Sequence, residues 1–541
     1  MSVFQLERLL FTPATPEHDA IPAIFAFPNE YTIGITSLGF QIVWATLAMR
    51  SDVDVSRLFT DLSEPLPRNP ELLGFSVSWE LDYINIFNLL ESLDIPLHSS
   101  ERENHPLVFG GGTVLTANPE PFADFFDVIL LGDGEDLLDR FIDAYQEVRH
   151  ADRQTKLRHL ARVPGIYIPS LYEVTYHSPD GEIKAIAPVD SEVPDRVQKQ
   201  TYRGNTLSTS TVVTEKAAWE NIYMVEVVRS CPEMCRFCLA SYLTLPFRTA
   251  PLASSLIPAI EKGLKVTNRL GLLGASVTQH PEFEAILDYL SQPQYQDVRL
   301  SVASVRTNTV TEKLAATLAK RDTRSITIAV ESGSEKLRQI VNKKLTNEEI
   351  IQAAINAKAG GLKALKLYGM VGIPEETMTD VEATVAMMSA IKKAAPGLRL
   401  TLGCSTFVPK SHTPFQWFGV NPDAKKRLKY LEKNLRKQGI DFRPESYNWS
   451  VIQALISRGD RRLGKLLQLT REYGDTVGSY KRAFKQLRGQ IPSLDYYVHD
   501  NWQQDCILPW QHLQGPLPQK TLIEHLNKAL AVQNEPLVVN H

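Results

Sequence analysis

Cysteine is scarce in this chain, with five residues in 541. So few thiols cannot build a disulfide framework, and they suit a reducing compartment such as the cytoplasm. No apolar run approaches the ~18 residues of a membrane span. The opening stretch, MSVFQLERLLFTPATPEHDA, lacks the basic segment, apolar run and small-residue cleavage site of a secretory signal. Neither sign of charge dominates. Lys and Arg number 58 against 62 Asp and Glu, a net charge of −4, which points to neither nucleic acid nor a membrane surface. No short-period repeat is visible. With 43% apolar and 22% charged residues, what is left is an ordinary globular chain, long enough for roughly three or four domains.

What is present is mostly an alternation of strand and helix patterns. Residues 1–160 carry short apolar runs separated by amphipathic segments, which predicts a doubly wound, Rossmann-like α/β domain. Residues 161–220 include YEVTYHSPDGEIKAIAP, a period-two pattern around SPDG that predicts a β-hairpin linker. Residues 221–425 hold six candidate strands: MVEVV, RLGLLGA, VRLSVAS, SITIAVES, ALKLYGMVG and LRLTLGCSTFV. With helical segments between them, they predict a parallel (βα)6 partial TIM barrel. Residues 426–541 read as helical. Between 425 and 488 there are 17 Lys and Arg against 6 Asp and Glu. Such an excess usually marks solvated helix faces and otherwise an RNA-binding surface.

Three of the five cysteines fall within eight positions of VEVVRSCPEMCRFCLASY: Cys231, Cys235 and Cys238. Inert buried thiols have no reason to crowd in this way. Zinc is a poor match, because a closed zinc site takes four N or S ligands. The next histidine, His280, lies 42 residues beyond Cys238. The third reading is a [4Fe-4S] cluster, which normally takes one cysteine per iron. Three cysteines leave one iron open to a small molecule.

Cys231, Cys235, Phe237 and Cys238, set directly after MVEVV, resemble the Cys-x3-Cys-x-aromatic-Cys motif of the radical S-adenosylmethionine (radical SAM) superfamily. The resemblance implies that the three cysteines hold a [4Fe-4S] cluster and that the open iron chelates S-adenosylmethionine. Reductive cleavage then gives a 5'-deoxyadenosyl radical that takes a substrate hydrogen. It also implies an electron donor such as ferredoxin or flavodoxin. Gly274 and Ala275 fall where the family often has a Gly-Gly-Glu-like segment facing the methionine amino group, although the acid is missing. AVESGSEKLRQIVNKKLT resembles a segment of several branches, with Glu331, Gly333, Ser334, Leu337, Arg338, Asn342 and Lys343 as its matching residues, which places Glu331 and Ser332 near the ribose or methionine end. The plainer reading of Glu331 is a strand-end salt bridge. Gly372 and Pro374, in GMVGIPEET, resemble the sixth-strand turn beside the adenine, or form a simple strand-to-helix turn. Ser230 and Met234 stand where the branch commonly has glycine.

VFGGGTVLTANPEPFADFFDVILLGDGEDLL resembles the second half of the cobalamin-binding domain that precedes many radical SAM barrels. Gly110, Gly111, Gly112, Gly132 and Gly134 fall at its positions. The Asp-x-His-x-x-Gly stretch that supplies an axial histidine is absent. Either a corrinoid binds without protein ligation, or the fold persists without it. FVPKSHTPFQWFG, ISRGDRRLGKLL and ILPWQHLQG resemble the branch of radical SAM proteins with cobalamin-type N-terminal domains. Within them, His412 is a candidate substrate contact or an ordinary loop residue. Arg458, Asp460, Arg461 and Arg462 are a candidate anion site or a solvated helix start. Three functions follow: a radical SAM enzyme acting on a small molecule, with or without cobalamin-dependent methyl transfer; a non-catalytic iron-sulfur regulatory protein; and a radical SAM enzyme that modifies RNA. No second cysteine triplet precedes Cys231, which counts against sulfur insertion.

Overall fold

The apolar runs of the first 170 residues form one six-stranded sheet in the computed structural model, which describes residues 2–303 and 305–532. Its strand order is Val53–Leu58, Ile21–Ala26, Leu72–Ser76, Leu107–Gly111, Val128–Leu130 and Ile166–Tyr167. The first five are parallel and the last is antiparallel. The inner strands are buried along nearly their whole length, as a parallel sheet covered on both faces requires. In such sheets the strand order reverses at one point, and ligands bind there, outside the carboxyl ends. Here the reversal lies between Ile21–Ala26 and Leu72–Ser76. The expected hairpin follows, Tyr172–Tyr176 against Ile183–Pro188.

The second large sheet is an arc of parallel strands in chain order. Ile222–Glu226, Arg269–Leu273 and Arg299–Val302 form one part. The bridge Val305 to Ile328 joins it to Ser325–Glu331, Ala364–Val371 and Arg399–Thr406. All six expected strands are present. A seventh, Asp441–Pro444, pairs with the sixth and carries the sheet past residue 425. Among the described residues no ladder joins the last strand to the first. In Ser325–Glu331, Ile326, Ile328 and Val330 are buried while Thr327 and Ala329 are only partly covered. The inner positions Gly271, Ser301, Ala303, Thr327 and Ala329 line a cavity. A closed (βα)8 barrel fills such positions with bulky side chains. Small ones here leave the lumen open.

The C-terminal helices do not form a separate core. Leu455, Leu463, Leu466 and Tyr480 belong to the same buried cluster as Phe87 and Phe125 of the N-terminal sheet, whereas the barrel has its own. The hydroxyls of Tyr83 and Tyr480 meet at 2.8 Å. The basic excess splits in two. Lys425, Lys426, Lys429 and Lys433 are exposed on the helix Ala424–Lys437, the solvated face expected of an amphipathic helix. Arg443, Arg482 and Arg488 are exposed too, whereas Arg458, Arg461 and Arg462 turn inward, which corrects both sequence readings of those three. Arg458 is 0% exposed, donates to the carbonyls of Tyr497 and Asp500 at 2.8 and 2.9 Å, and lies 3.9 Å over the Trp502 ring. Arg461 pairs with buried Glu120 at 3.0 Å, and Arg462 with Asp460 at 2.6 Å. No described helix is long and apolar enough to cross a membrane.

Candidate functional site

The first barrel strand, buried at Tyr223, Met224 and Val225, delivers the chain to Val228–Arg229. This pair forms a short antiparallel ladder with Arg248–Thr249, so both ends of the intervening loop are tied together. Cys231, Cys235 and Cys238 lie in that loop, and all three line one cavity of about 860 Å3. Burial pushes the Cys235 thiol up to about 12 and raises Cys238 as well. Thiols this buried stay protonated unless a metal centre draws them to thiolate. Among the described residues no three His, Cys, Asp or Glu side chains close on a single ion. A cluster offers a different iron to each thiolate, so its sulfurs stand wider apart than the ligands of one ion. Three thiols on one cavity wall are the kind of donor set that such a cluster takes.

The loop is held in shape by the segment Glu331–Lys343. Ser334 caps the helix Glu335–Ile340 by accepting from the Leu337 N–H, and Leu337 is fully buried. Arg338, 1% exposed, donates to the Ser332 and Leu345 carbonyls at 2.7 and 2.8 Å and to Asn347 Oδ1 at 2.8 Å. Beyond the helix, Asn342 Nδ2 donates to the carbonyls of Glu233 and Met234 at 3.0 and 2.9 Å. Arg236 Nη1 returns two bonds, to Gln339 and Ile340, at 2.8 and 2.7 Å. Leu337, Arg338 and Asn342 of the motif therefore position the cysteines. Glu331 sits at a strand end with φ +64°, an uncommon conformation for a side-chain-bearing residue and one that concentrates at functional sites. Its carboxylate faces the cavity and pairs with Lys343 at 2.9 Å.

Ser230 and Met234 take φ values of +72° and +55°, in the left-handed region that glycine enters freely. That is the physical reason glycine suits both places. A non-glycine residue there costs about 1–2 kcal/mol, and a β-branched one fits worst. Met234→Gly is therefore expected to keep its cluster loading. Met234→Val should unfold about 2 kcal/mol more easily than Met234→Gly, as read by chemical denaturation of the two variants side by side.

The other expected residues divide. Phe237, Ala275 and Glu331 line the cavity with the cysteines. Gly274 stands beside it. At φ +148°, a Cβ there would run into the Val228 carbonyl, so Gly274 lets the second strand approach the cysteine loop. Ser332 is 2% exposed and faces away from the cavity, its carbonyl taken by Arg338. Gly372 and Pro374 lie outside it too, in a turn after the fifth barrel strand rather than the sixth. There the Gly372 N–H donates to Glu376 at 2.6 Å. His412 is buried against Gly515 and lines neither cavity. Burial pushes its pKa down to about 4, which keeps it neutral. The sequence reading missed Glu233, Arg306 and Lys343 on the cavity wall. Arg306 pairs with Glu233 at 3.0 Å. Only Lys343, inside the recognised motif, carried a signal.

A second cavity, about 350 Å3, opens at the carboxyl ends of the N-terminal sheet, at its point of strand reversal. Gly111, Gly112, Gly132 and Gly134 line it with Gly39, Phe25, Phe75 and Phe109. Gly110 lies outside it, packed against Leu115 and Phe126. Gly112, at φ +112°, gives way to the Val77 carbonyl. Gly111 and Gly39 have room around them and present bare backbone to the space. Asp133, Glu135, Glu226 and Arg229 also line this cavity. Arg229 reaches Glu226 at 2.6 Å and Glu135 at 2.7 Å, tying the two domains together two residues before Cys231.

Comparison with known proteins agrees with this arrangement. Residues 57–169 match the family of radical SAM proteins, N-terminal, and residues 225–388 match the radical SAM superfamily. An uncharacterized protein of Methanocaldococcus jannaschii is 28% identical over 462 residues, 84% of this chain and 93% of that one. An uncharacterized methyltransferase of Pyrococcus horikoshii is 21% identical over 375 residues, 65% of this chain and 73% of that one. Among solved structures, the radical S-adenosylmethionine methyltransferase TsrM from Kitasatospora setae, with cobalamin and a [4Fe-4S] cluster bound, superposes with a TM-score of 0.50. The match has 15% identity and covers 74% of this chain and 77% of that one; it shows the shared fold. A doubly wound domain, an open parallel barrel and three cysteines at its first loop define one class of protein. The chain belongs to the radical SAM superfamily, as an enzyme of the class that works with a [4Fe-4S] cluster and S-adenosylmethionine.

Proposed function

We propose that Cys231, Cys235 and Cys238 hold the [4Fe-4S] cluster, leave one iron free for S-adenosylmethionine, and serve a radical methyltransferase. One observation carries the reading: three thiols with no fourth share a wall of a cavity of about 860 Å3. That volume lies within the ~300–1,000 Å3 of small-molecule sites. When bound and reduced, the cluster supplies the electron that splits the sulfonium of S-adenosylmethionine. The chain's own residues bind and shield. Glu331, fixed by Lys343, offers an acceptor for hydroxyl or ammonium donors of the cosubstrate. The Ala275 backbone stands ready to meet its polar end, and Phe237 keeps water from the cysteines. An external one-electron donor such as ferredoxin or flavodoxin completes the requirement. The scarcity of thiols supports a reducing compartment such as the cytoplasm.

The methylation reading rests on the N-terminal cavity. Its apolar walls and bare glycines fit the slender nucleotide end of a corrinoid. The macrocycle is larger than 350 Å3 allows, and the ion pairs of Arg229 would have to part for it. The test is gel filtration of the full chain with hydroxocobalamin, followed by a visible spectrum. Retained pigment that is lost in Gly111→Leu, where a side chain fills the cavity, supports corrinoid binding. Pigment that washes away from the parent chain removes cobalamin from the reading.

A further inference from the structure

The large cavity does not stop beneath the cysteines. It runs the length of the barrel to the amino-terminal ends of the first two strands, where Trp219, Ile222 and Arg269 line it, with Lys366 and Tyr368 further up the fifth strand. Arg269 opens the second strand and Gly274 follows its end. At ~3.3 Å per residue the two stand about 17 Å apart. Trp219 is 52% exposed and Tyr368, in the middle of a strand, 58%. Trp219 stands in the loop before the first strand and Tyr368 lies against Gly403 of the sixth, and both leave much of their rings bare. The charges are uneven along the same cavity. Near the cysteines each cation is matched, Lys343 by Glu331 and Arg306 by Glu233. At the far end Arg269 reaches a carboxylate, that of Glu220, only at 4.0 Å. A smaller cavity of about 360 Å3 shares Ile222, Arg269 and Ser301 with the large one, and four arginines, Arg269, Arg299, Arg321 and Arg324, line it against one acid, Asp322.

We propose that this end of the lumen is the substrate subsite, and that it selects a small anionic molecule with a planar ring. The reading rests on the radical SAM assignment above. Arg269 and Lys366 take the carboxylate or phosphate, since charge-assisted hydrogen bonds are the strong ones. Trp219 and Tyr368 cover the ring, as aromatic pairs do at 4.5–7 Å. The carbon that loses its hydrogen then points up the lumen toward the cysteines. RNA is the competing occupant, because bases also stack on aromatics beside cations. A cavity walled by strands along its length suits a short molecule better than a polynucleotide, which needs an open groove.

The experiment titrates the full-length chain, by calorimetry, with indole-3-acetate and with its neutral isostere indole-3-acetamide. The acid is expected to bind and the amide to bind about tenfold more weakly or worse. Arg269→Glu and Lys366→Glu should each weaken the acid about tenfold. Lys366 is exposed, so Lys366→Gln keeps the fold if the glutamate variants do not, and melting curves check this. Equal binding of acid and amide, no binding of the acid at millimolar concentration, or charge variants that bind the acid as the parent does would each overturn the proposal. So would a single-stranded RNA that binds in place of the acid with a steep salt dependence. The titration needs no cluster. Its failure with intact S-adenosylmethionine cleavage removes the subsite alone, and selective binding without cleavage removes the enzyme reading alone.

Discussion

Cys235→Ala is expected to fold and to lose its iron. The parent, reconstituted anaerobically with iron and sulfide, should carry about four irons per chain. The variant should fall close to none, and 5'-deoxyadenosine should drop below detection with dithionite and S-adenosylmethionine. Cys231→Ala and Cys238→Ala should behave alike, because each removes the ligand of a different iron. Cys404→Ala and Cys506→Ala provide the contrast. Cys404 is buried in the barrel core, Cys506 lies in the C-terminal part, and neither lines the cavity. Their variants should lose some stability and no iron. Iron and sulfide content across the five variants, with melting curves beside them, decides the matter. Equal loss of iron in all five would mean that the thiols act through folding and not as ligands.

The second large effect lies away from the chemistry. Arg338→Ala is expected to destabilise the chain by about 3–5 kcal/mol. Removing the guanidinium leaves two carbonyls and an amide oxygen without their charged donor in a dry site. Arg338→Lys should recover only part, since an ammonium cannot reproduce the planar fork. The helix that Arg338 anchors carries the carbonyls taken by Arg236, and the cysteine loop leans on them. Cluster loading should fall with stability. Urea denaturation and iron content of the two variants test both links. A loss under about 1 kcal/mol would contradict the anchoring role.

The barrel strands were legible because their β-branched runs repeat at the spacing of βα units, and the cysteines because three thiols in eight residues have few other uses. The rest depends on distance in space. DFRP, four residues with a proline, has no strand period of its own. It forms Asp441–Pro444 because the sixth strand offers it an unpaired edge. Arg461 reads as a surface charge until Glu120, 341 residues earlier in the chain, is found beside it. Of the motif around Glu331, the sequence puts Glu331 and Ser332 at the cosubstrate. In the structure Ala329, Glu331 and Lys343 of it line the cavity, while Ser332, Leu337, Arg338 and Asn342 support the loop. Gly372 and Pro374 likewise matched a motif whose job here is a turn. Trp219 and Tyr368 gave no signal, because nothing in sequence tells an aromatic ring left bare in a lumen from one packed in a core.

The central claim is that the missing fourth cysteine is the place where S-adenosylmethionine binds. Its most direct test is the electron paramagnetic resonance spectrum of the reduced, reconstituted chain before and after S-adenosylmethionine is added. The spectrum is predicted to shift as the cosubstrate ligates the open iron, with 5'-deoxyadenosine appearing on further reduction. A cluster whose spectrum stays the same, in a protein that yields no 5'-deoxyadenosine, would contradict it.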